Sequence, residues 1–361
     1  MTIKPVKSLK RIELRFRHFY RAEEEAEALK IFTFEAFEKK LFSKSNESQN
    51  VFYWYNSIIQ KLNENKQFGT ANNYEISSNS IKEFFEHDKG KKPSKIAFHD
   101  FTPTLLEKYE SWMKEHKSSV TTVSIYLRTL RTIFNTAIDA EKLKRSYIHF
   151  GKRKYQIPAS RNIKKALGKD ILKSLFDASP RSNEEERAKD LFFFSYACNG
   201  MNTKDIAELK FENIKGDTLQ FIRPKQPTLQ KGNMKPTVIY LTDYTKSIIE
   251  KYSTKEQHPE NYVFPFLSNS NTAFENFRKV KNLTTSINHS IKRLAKVAGI
   301  TENISTYTAR HSFATNAVRN GASMEFISEA LNHSNMKTTQ NYFAGFEEET
   351  KRGIAESLMN F

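Results

Sequence analysis

Along most of this 361-residue chain, apolar residues recur at three- and four-residue steps, and the pattern gives way to alternation in one stretch only. The first spacing lines one stripe of a helix, and the second lines one face of a strand. The chain is therefore expected to be mainly helical with one small sheet. Val51 to Leu62 carries Phe52, Tyr55, Ile58, Ile59 and Leu62 on one such stripe. Thr70 to Phe85 reads as a second helix, and Thr102-Pro103 opens a third with proline near its first position. The longest runs from Ser118 to Ile138, with a buried face expected at Tyr126-Leu127, Leu130, Ile133-Phe134 and Ala137-Ile138.

These four helices predict a compact all-α domain over 49–140, preceded by a short N-terminal helical segment over 1–48. The stretch 141–165 holds Lys142, Lys144, Arg145, Lys152, Arg153, Lys154, Arg161, Lys164 and Lys165 against Glu141 alone, and reads as a basic interdomain linker. A second, larger domain is expected over 166–345. It contains helices at 169–177, 184–199, 203–210, 243–252, 271–298, 309–320, 324–332 and 336–344. Two strands, Thr218 to Pro224 and Thr237 to Thr242, flank the lysine-rich loop Lys225–Pro236. Residues 346–361 form an amphipathic tail with Ile354, Leu358 and Phe361 spaced for packing.

Charge narrows the partner. The formal net charge is +17, and both large segments share it: 18 basic and 11 acidic side chains over 49–160, and 29 against 22 over 161–361. Such a field favours a polyanion, with nucleic acid first and an anionic membrane surface second. No run of 18 apolar residues argues for a membrane span. The single cysteine, Cys198, allows no intrachain disulfide, and Met1 to Lys7 lacks the apolar segment of a signal peptide, so a cytoplasmic location is expected. No cluster of carboxylates, His or Cys suggests a metal site, and no cofactor is expected. Arg128 and Arg131 lie three residues apart, off the buried stripe of their helix. They suit either a solvated bundle surface or a face laid against DNA phosphates, as Lys152, Arg153 and Lys154 do in the basic stretch.

Chemistry concentrates near the C-terminus, in Tyr307-Thr-Ala-Arg310-His311-Ser-Phe-Ala-Thr315 and Ala330-Leu-Asn-His333-Ser-Asn-Met-Lys-Thr-Thr-Gln-Asn-Tyr342. A guanidinium grips two phosphate oxygens, an imidazole moves a proton near neutrality, and a phenol becomes a covalent nucleophile once its proton leaves. Each residue alone has an ordinary structural reading. Their joint spacing, Arg-x22-His-x8-Tyr, does not.

This spacing resembles that of the tyrosine recombinases, the phage-type integrase family, and the wording is similar to integrases carried by mobile elements of Bacteroidetes. Gly200-Met-Asn-Thr-Lys-Asp-Ile206 is also close to the family phrase. The resemblance implies a helical, SAM-like core-binding domain followed by a mostly helical catalytic domain with a small β-sheet. It implies a site-specific recombinase that cleaves and rejoins double-stranded DNA through a 3′-phosphotyrosyl intermediate, without metal or cofactor. Tyr342 would be the nucleophile, with Arg310 as the principal donor to the phosphate and His333 supporting the transition state or the nucleophile. Lys225 would be the general acid on the β-turn, with Lys231 and Lys235 as alternatives. A homo-tetramer on paired sites, accessory DNA-bending proteins and a tail docked on a neighbouring protomer or on its own domain are further implications.

Two positions depart from the family pattern. Asn202 stands where the first arginine is expected, and Tyr307 stands where a histidine is expected three residues before Arg310. Arg223, two residues from Lys225 and on the same strand face, is a candidate replacement for the missing guanidinium. Residues 1–48 are short for the arm-type domain that such integrases often carry, which is expected to be absent or truncated. The competing readings are a DNA-binding protein of the same fold with impaired catalysis, and a topoisomerase-like enzyme that nicks and reseals one duplex.

Overall fold

The computed structural model describes residues 48–159, 166–221, 236–333, 335–343 and 348–358. The expected N-terminal helical segment over 1–48 except for Ser48, the linker residues Arg161, Lys164 and Lys165, and the loop residues Arg223, Lys225, Lys231 and Lys235 lie outside them. The chain divides into two units, Met1–Ser160 and Arg161–Phe361.

In the first unit, α1 (Val51–Glu64), α2 (Phe68–Lys89), α3 (Pro103–Glu115) and α4 (Val120–Asp139) are bounded by local polar signals. Asn50 accepts from the Phe52 N–H, Thr102 from Leu105 and Ser119 from Thr122, so each cap satisfies a backbone donor that its helix leaves unpaired. At the end of α2, Gly90 takes φ +70°, a conformation that glycine adopts without a Cβ penalty. The expected stripe of α4 is inward: Leu127, Leu130, Ile133, Phe134 and Ala137 are fully buried, with Tyr126 and Ile138 packed at its edges. On α2, small hydroxyl side chains meet the neighbouring helices beside the buried Ile81, Phe84 and Phe85. Thr129 Oγ1 donates to Ser77 Oγ at 2.6 Å, Tyr55 Oη shares a 2.9 Å hydrogen bond with the same serine, and Tyr109 Oη donates to Ser80 at 2.8 Å. An unpaired buried hydroxyl costs roughly 1–3 kcal/mol, so these pairings fix the register of α2 on its neighbours.

The expected linker is corrected here. Leu143, Phe150 and Tyr155 belong to the core of the first unit, with Ile148 and Ile157 packed against it, so the chain stays in this domain through residue 157. Tyr155 also donates its phenol proton to Glu110. Three large apolar anchors within a basic stretch convert a linker into a folded edge. Lys152, Arg153 and Lys154 are displayed on the turn between Phe150 and Tyr155, which form an isolated bridge.

The second unit contains α5 (Lys169–Asp177), α6 (Asn183–Ala197) and α7 (Thr203–Ala207), then β1 (Ile214–Lys215), β2 (Thr218–Phe221) and β3 (Thr237–Tyr240). Helices α8 (Asp243–Tyr252), α9 (Ala273–Val297), α10 (Thr306–Arg319), α11 (Met324–Ala330), α12 (Met336–Gln340) and α13 (Glu348–Ser357) follow. The central helix α6 packs against α9 and α10 and buries Leu191, Phe192, Phe193 and Phe194 in succession. Its later part is buried on all sides, from Asp190 to Ser195, where it has neighbours around it. Asp190 on α6 is buried and receives Lys251 Nζ and Tyr252 Oη from α8, each at 2.8 Å.

The sheet is antiparallel in the order β1-β2-β3. Leu219 pairs with Ile239, and both point into the core, while Val238 and Tyr240 alternate outward. The short β1 has no periodicity of its own to announce it and follows from its pairing with β2 across Gly216 and Asp217. Ile354 on α13 and Leu358 just after it are 50% and 71% exposed. No helix among the described residues is long and apolar enough to cross a membrane.

Candidate active site

Helix α10 organises the site. Its first turn is set by Ser305, whose N–H donates to Thr308 Oγ1 at 3.1 Å, and by Thr306, whose N–H donates to Asn288 Oδ1 on α9 at 2.8 Å. The helix therefore begins at Thr306 rather than at Ala309 as the apolar spacing indicates. This extra turn puts Tyr307, Arg310 and His311 at i, i+3 and i+4, on one face.

Arg310 is 5% exposed. Its Nη1 donates to the Gly200 carbonyl at 2.9 Å and its Nη2 to the Leu331 carbonyl at 2.8 Å. A buried guanidinium is tolerable only with such compensation, and here the bonds also fix the plane of the fork. Gly200 is indispensable to the arrangement. It has φ +62°, and a Cβ there would lie 2.9 Å from both Cα and Cγ of Arg310, a separation that only glycine avoids.

His333 follows α11, and its Nε2 lies 3.4 Å from Arg310 Nη2. Arginine offers donors only, so Nε2 is the acceptor, and Nδ1 is left to donate to Thr339 Oγ1 at 3.0 Å. Thr339 is buried in α12, which anchors the imidazole from the side opposite Arg310.

Tyr342 comes two residues after α12 and is 9% exposed. Thr315 Oγ1 donates to its carbonyl at 3.0 Å, and its ring joins Ala314, Ile327 and Leu331 in a small apolar cluster. The His311 ring stacks on it at 4.5 Å between centroids, the His333 ring lies at 5.1 Å, and the Arg310 guanidinium carbon lies 5.7 Å from its centroid. Its phenol oxygen is 2.7 Å from that of Tyr307. Burial raises the ionisation of Tyr307 well above the usual phenol range, the contact with Tyr342 adds to this, and Arg310 partly opposes it.

Four of the residues singled out in the sequence, Tyr307, Arg310, His333 and Tyr342, are thus brought together. Asn202 is exposed at the N-terminal end of α7, two residues beyond the carbonyl that holds Arg310. Arg128 and Arg131 are exposed on α4 in the first unit, Arg128 donating to Ser124 at 2.6 Å. Sequence reasoning missed Thr315 and Thr339, which carry no chemistry of their own, and undervalued His311, which is buried against the nucleophile candidate. Among the described residues no group of three or more His, Cys, Asp or Glu is placed to hold a metal ion.

Residues 165–349 match the phage integrase family, and residues 50–157 match the phage integrase SAM-like domain. The chain belongs to the phage integrase family. It is a tyrosine-type site-specific DNA recombinase, an activity that in this family typically runs through a phosphotyrosyl intermediate. A tyrosine recombinase of Thermosipho africanus is 26% identical over 230 residues, covering 62% of this chain and 71% of that protein. Tyrosine recombinase XerC of Rickettsia prowazekii is 26% identical over 286 residues, covering 75% and 86%. In fold, this recombinase is similar to the Tn1549 transposon integrase in complex with transposon right end DNA, with a TM-score of 0.55 at 16% identity over 86% of this chain and 99% of that one. It is likewise similar to a lambda integrase dimer bound to a COC′ core site, with a TM-score of 0.56 at 14% identity over 84% and 81%. The expected class, a SAM-like helical domain plus a mostly helical catalytic domain with a small sheet, is borne out.

Proposed function

We propose that Tyr342 attacks the scissile phosphate of double-stranded DNA, forming a 3′-phosphotyrosyl bond and releasing a 5′-hydroxyl. A hydroxyl from a second strand then reverses the step, so the bond energy is kept without a nucleotide cofactor. The carrying observation is the enclosure of the Tyr342 phenol by Arg310, His333 and Tyr307. Arg310 is already oriented by two carbonyls, so it meets the charge developing on the phosphate oxygens without reorganising. His333 supports the transition state or the nucleophile. Lys225 protonates the leaving 5′-oxygen, and Arg223 supplies the guanidinium that Asn202 does not. Tyr307 occupies the position of the family histidine as a hydroxyl donor.

Arg128 and Arg131 on α4, with Lys152, Arg153 and Lys154, hold the DNA backbone from the first domain. The domains are a short N-terminal segment before residue 49, a DNA-binding domain that continues to about residue 157, a catalytic domain to 345 and a tail. The assembly is a homo-tetramer on two paired sites, aided by DNA-bending proteins. The exposed Ile354 and Leu358 suit a tail docked on a neighbouring protomer. The chain serves a mobile element of the Bacteroidetes branch and works in the cytoplasm.

A nicked suicide DNA substrate tests the reading. A covalent adduct that forms with the unaltered chain and disappears in Tyr342→Phe supports it. No adduct on a bound site would instead favour a DNA-binding protein with impaired catalysis, and relaxation of one duplex without resolution of a four-way junction would favour the topoisomerase-like reading.

A further inference from the structure

Two phenols, those of Tyr307 and Tyr342, are paired at the proposed reacting point. We propose that Tyr307 is the positioning residue of the nucleophile: its phenol holds the Tyr342 oxygen through their 2.7 Å hydrogen bond and is the donor to that oxygen as it becomes negative during attack.

Both rings are braced on a single imidazole. His311 meets Tyr307 edge-on at 4.7 Å and stacks on Tyr342 at 4.5 Å, while His311 itself is 7% exposed. With the rings clamped, the two hydroxyl groups have little freedom except rotation of their protons. The proposal leaves the proton of the pair on Tyr307, whose ionised form is disfavoured, by burial first and then by the contact with Tyr342. Once Tyr342 is ionised, the pair is therefore a neutral phenol donating to a phenolate, a charge-assisted hydrogen bond of the stronger kind. Among the described residues the charged and titratable groups around this pair are Arg310 and His311 on α10 and His333 after α11. The guanidinium and the phenol donor thus act on Tyr342 together.

The proton balance follows from the exposure of Tyr307, which is 47% and marks the open side of the site. The Tyr342 proton passes to water on that side. The phenolate oxygen bonds to phosphorus as the bond from phosphorus to the 5′-oxygen breaks, and the leaving oxygen takes its proton from the general acid. Tyr307 finishes with the proton it began with.

This role rests on Tyr342 being the nucleophile, and the two claims fail separately. Single-turnover cleavage of a suicide substrate is measured against pH for the full chain, Tyr307→Phe, Tyr307→His and Tyr342→Phe. Phenylalanine keeps the ring packing and removes only the oxygen. Cleavage by Tyr307→Phe is expected to slow by about 10- to 100-fold, the worth of one charge-assisted hydrogen bond. Its rise with pH moves up by about one pH unit, since losing a donor to the phenolate disfavours ionisation. DNA affinity stays unchanged, and histidine, with an N–H donor, recovers much of the loss. A Tyr307→Phe variant that cleaves at the original rate with the original pH profile would overturn the positioning role and leave the nucleophile in place. A covalent adduct persisting in Tyr342→Phe would instead remove the nucleophile assignment.

Discussion

The two arms that meet at Gly200 and Arg310 are built on opposite plans. On the α10–α12 side, Arg310, His333 and Tyr342 are buried or half-buried, and each is tied to a carbonyl or hydroxyl of another element. On the α7 side, the corresponding position is Asn202, exposed, neutral and at a helix end. A guanidinium held by two carbonyls acts without reorganisation, whereas a neutral amide contributes ordinary hydrogen bonds and no charge. The first arm is preorganised by the fold. In the proposed reading the second gains its positive charge from Arg223.

Four experiments sharpen this contrast. The largest effect is expected for Arg310→Ala, which leaves two buried carbonyls without their donor as well as removing the cation. Cleavage should fall by at least about 10³-fold, and the fold should lose roughly 3–5 kcal/mol, read from single-turnover rates and urea titration. Next comes Gly200→Ala, whose Cβ collides with Arg310. It should cost about 1–3 kcal/mol and lower cleavage with little change in DNA affinity, which filter binding would check.

Third, Arg223→Ala should reduce cleavage about 100-fold in the natural background and much less in an Asn202→Arg background. Equal losses in both backgrounds would mean that the two positions do not share a role. The smallest effect belongs to the basic turn of the first domain. Arg153→Ala should leave the cleavage rate of bound DNA unchanged and reduce the salt dependence of binding by about one charge, measured as the slope of log affinity against log salt.

Much of this was legible in the sequence, for identifiable reasons. The stripe of α4 was visible because its apolar residues repeat at helical spacing over five turns. The trio Arg310, His333 and Tyr342 was visible because its spacing is fixed by two short helices between a buried cation and a buried phenol. The serine face of α2 was not, since Ser77 and Ser80 look like surface residues until Tyr55, Tyr109 and Thr129 are seen to meet them. The basic stretch misled because charge was weighed over Leu143, Phe150 and Tyr155, the three side chains that bury it into the domain. The early start of α10 was missed because Ser305 and Thr308 act through hydrogen bonds, to which apolar periodicity is blind. That turn is what brings Tyr307 onto Tyr342.

The most direct test of the central claim is peptide mapping by mass spectrometry of the covalent complex trapped on a suicide substrate. The account predicts that the nucleotide remnant is carried by the peptide containing Tyr342, through its phenol oxygen, with Tyr307 unmodified. A remnant on Tyr307, or on any residue other than Tyr342, would contradict it.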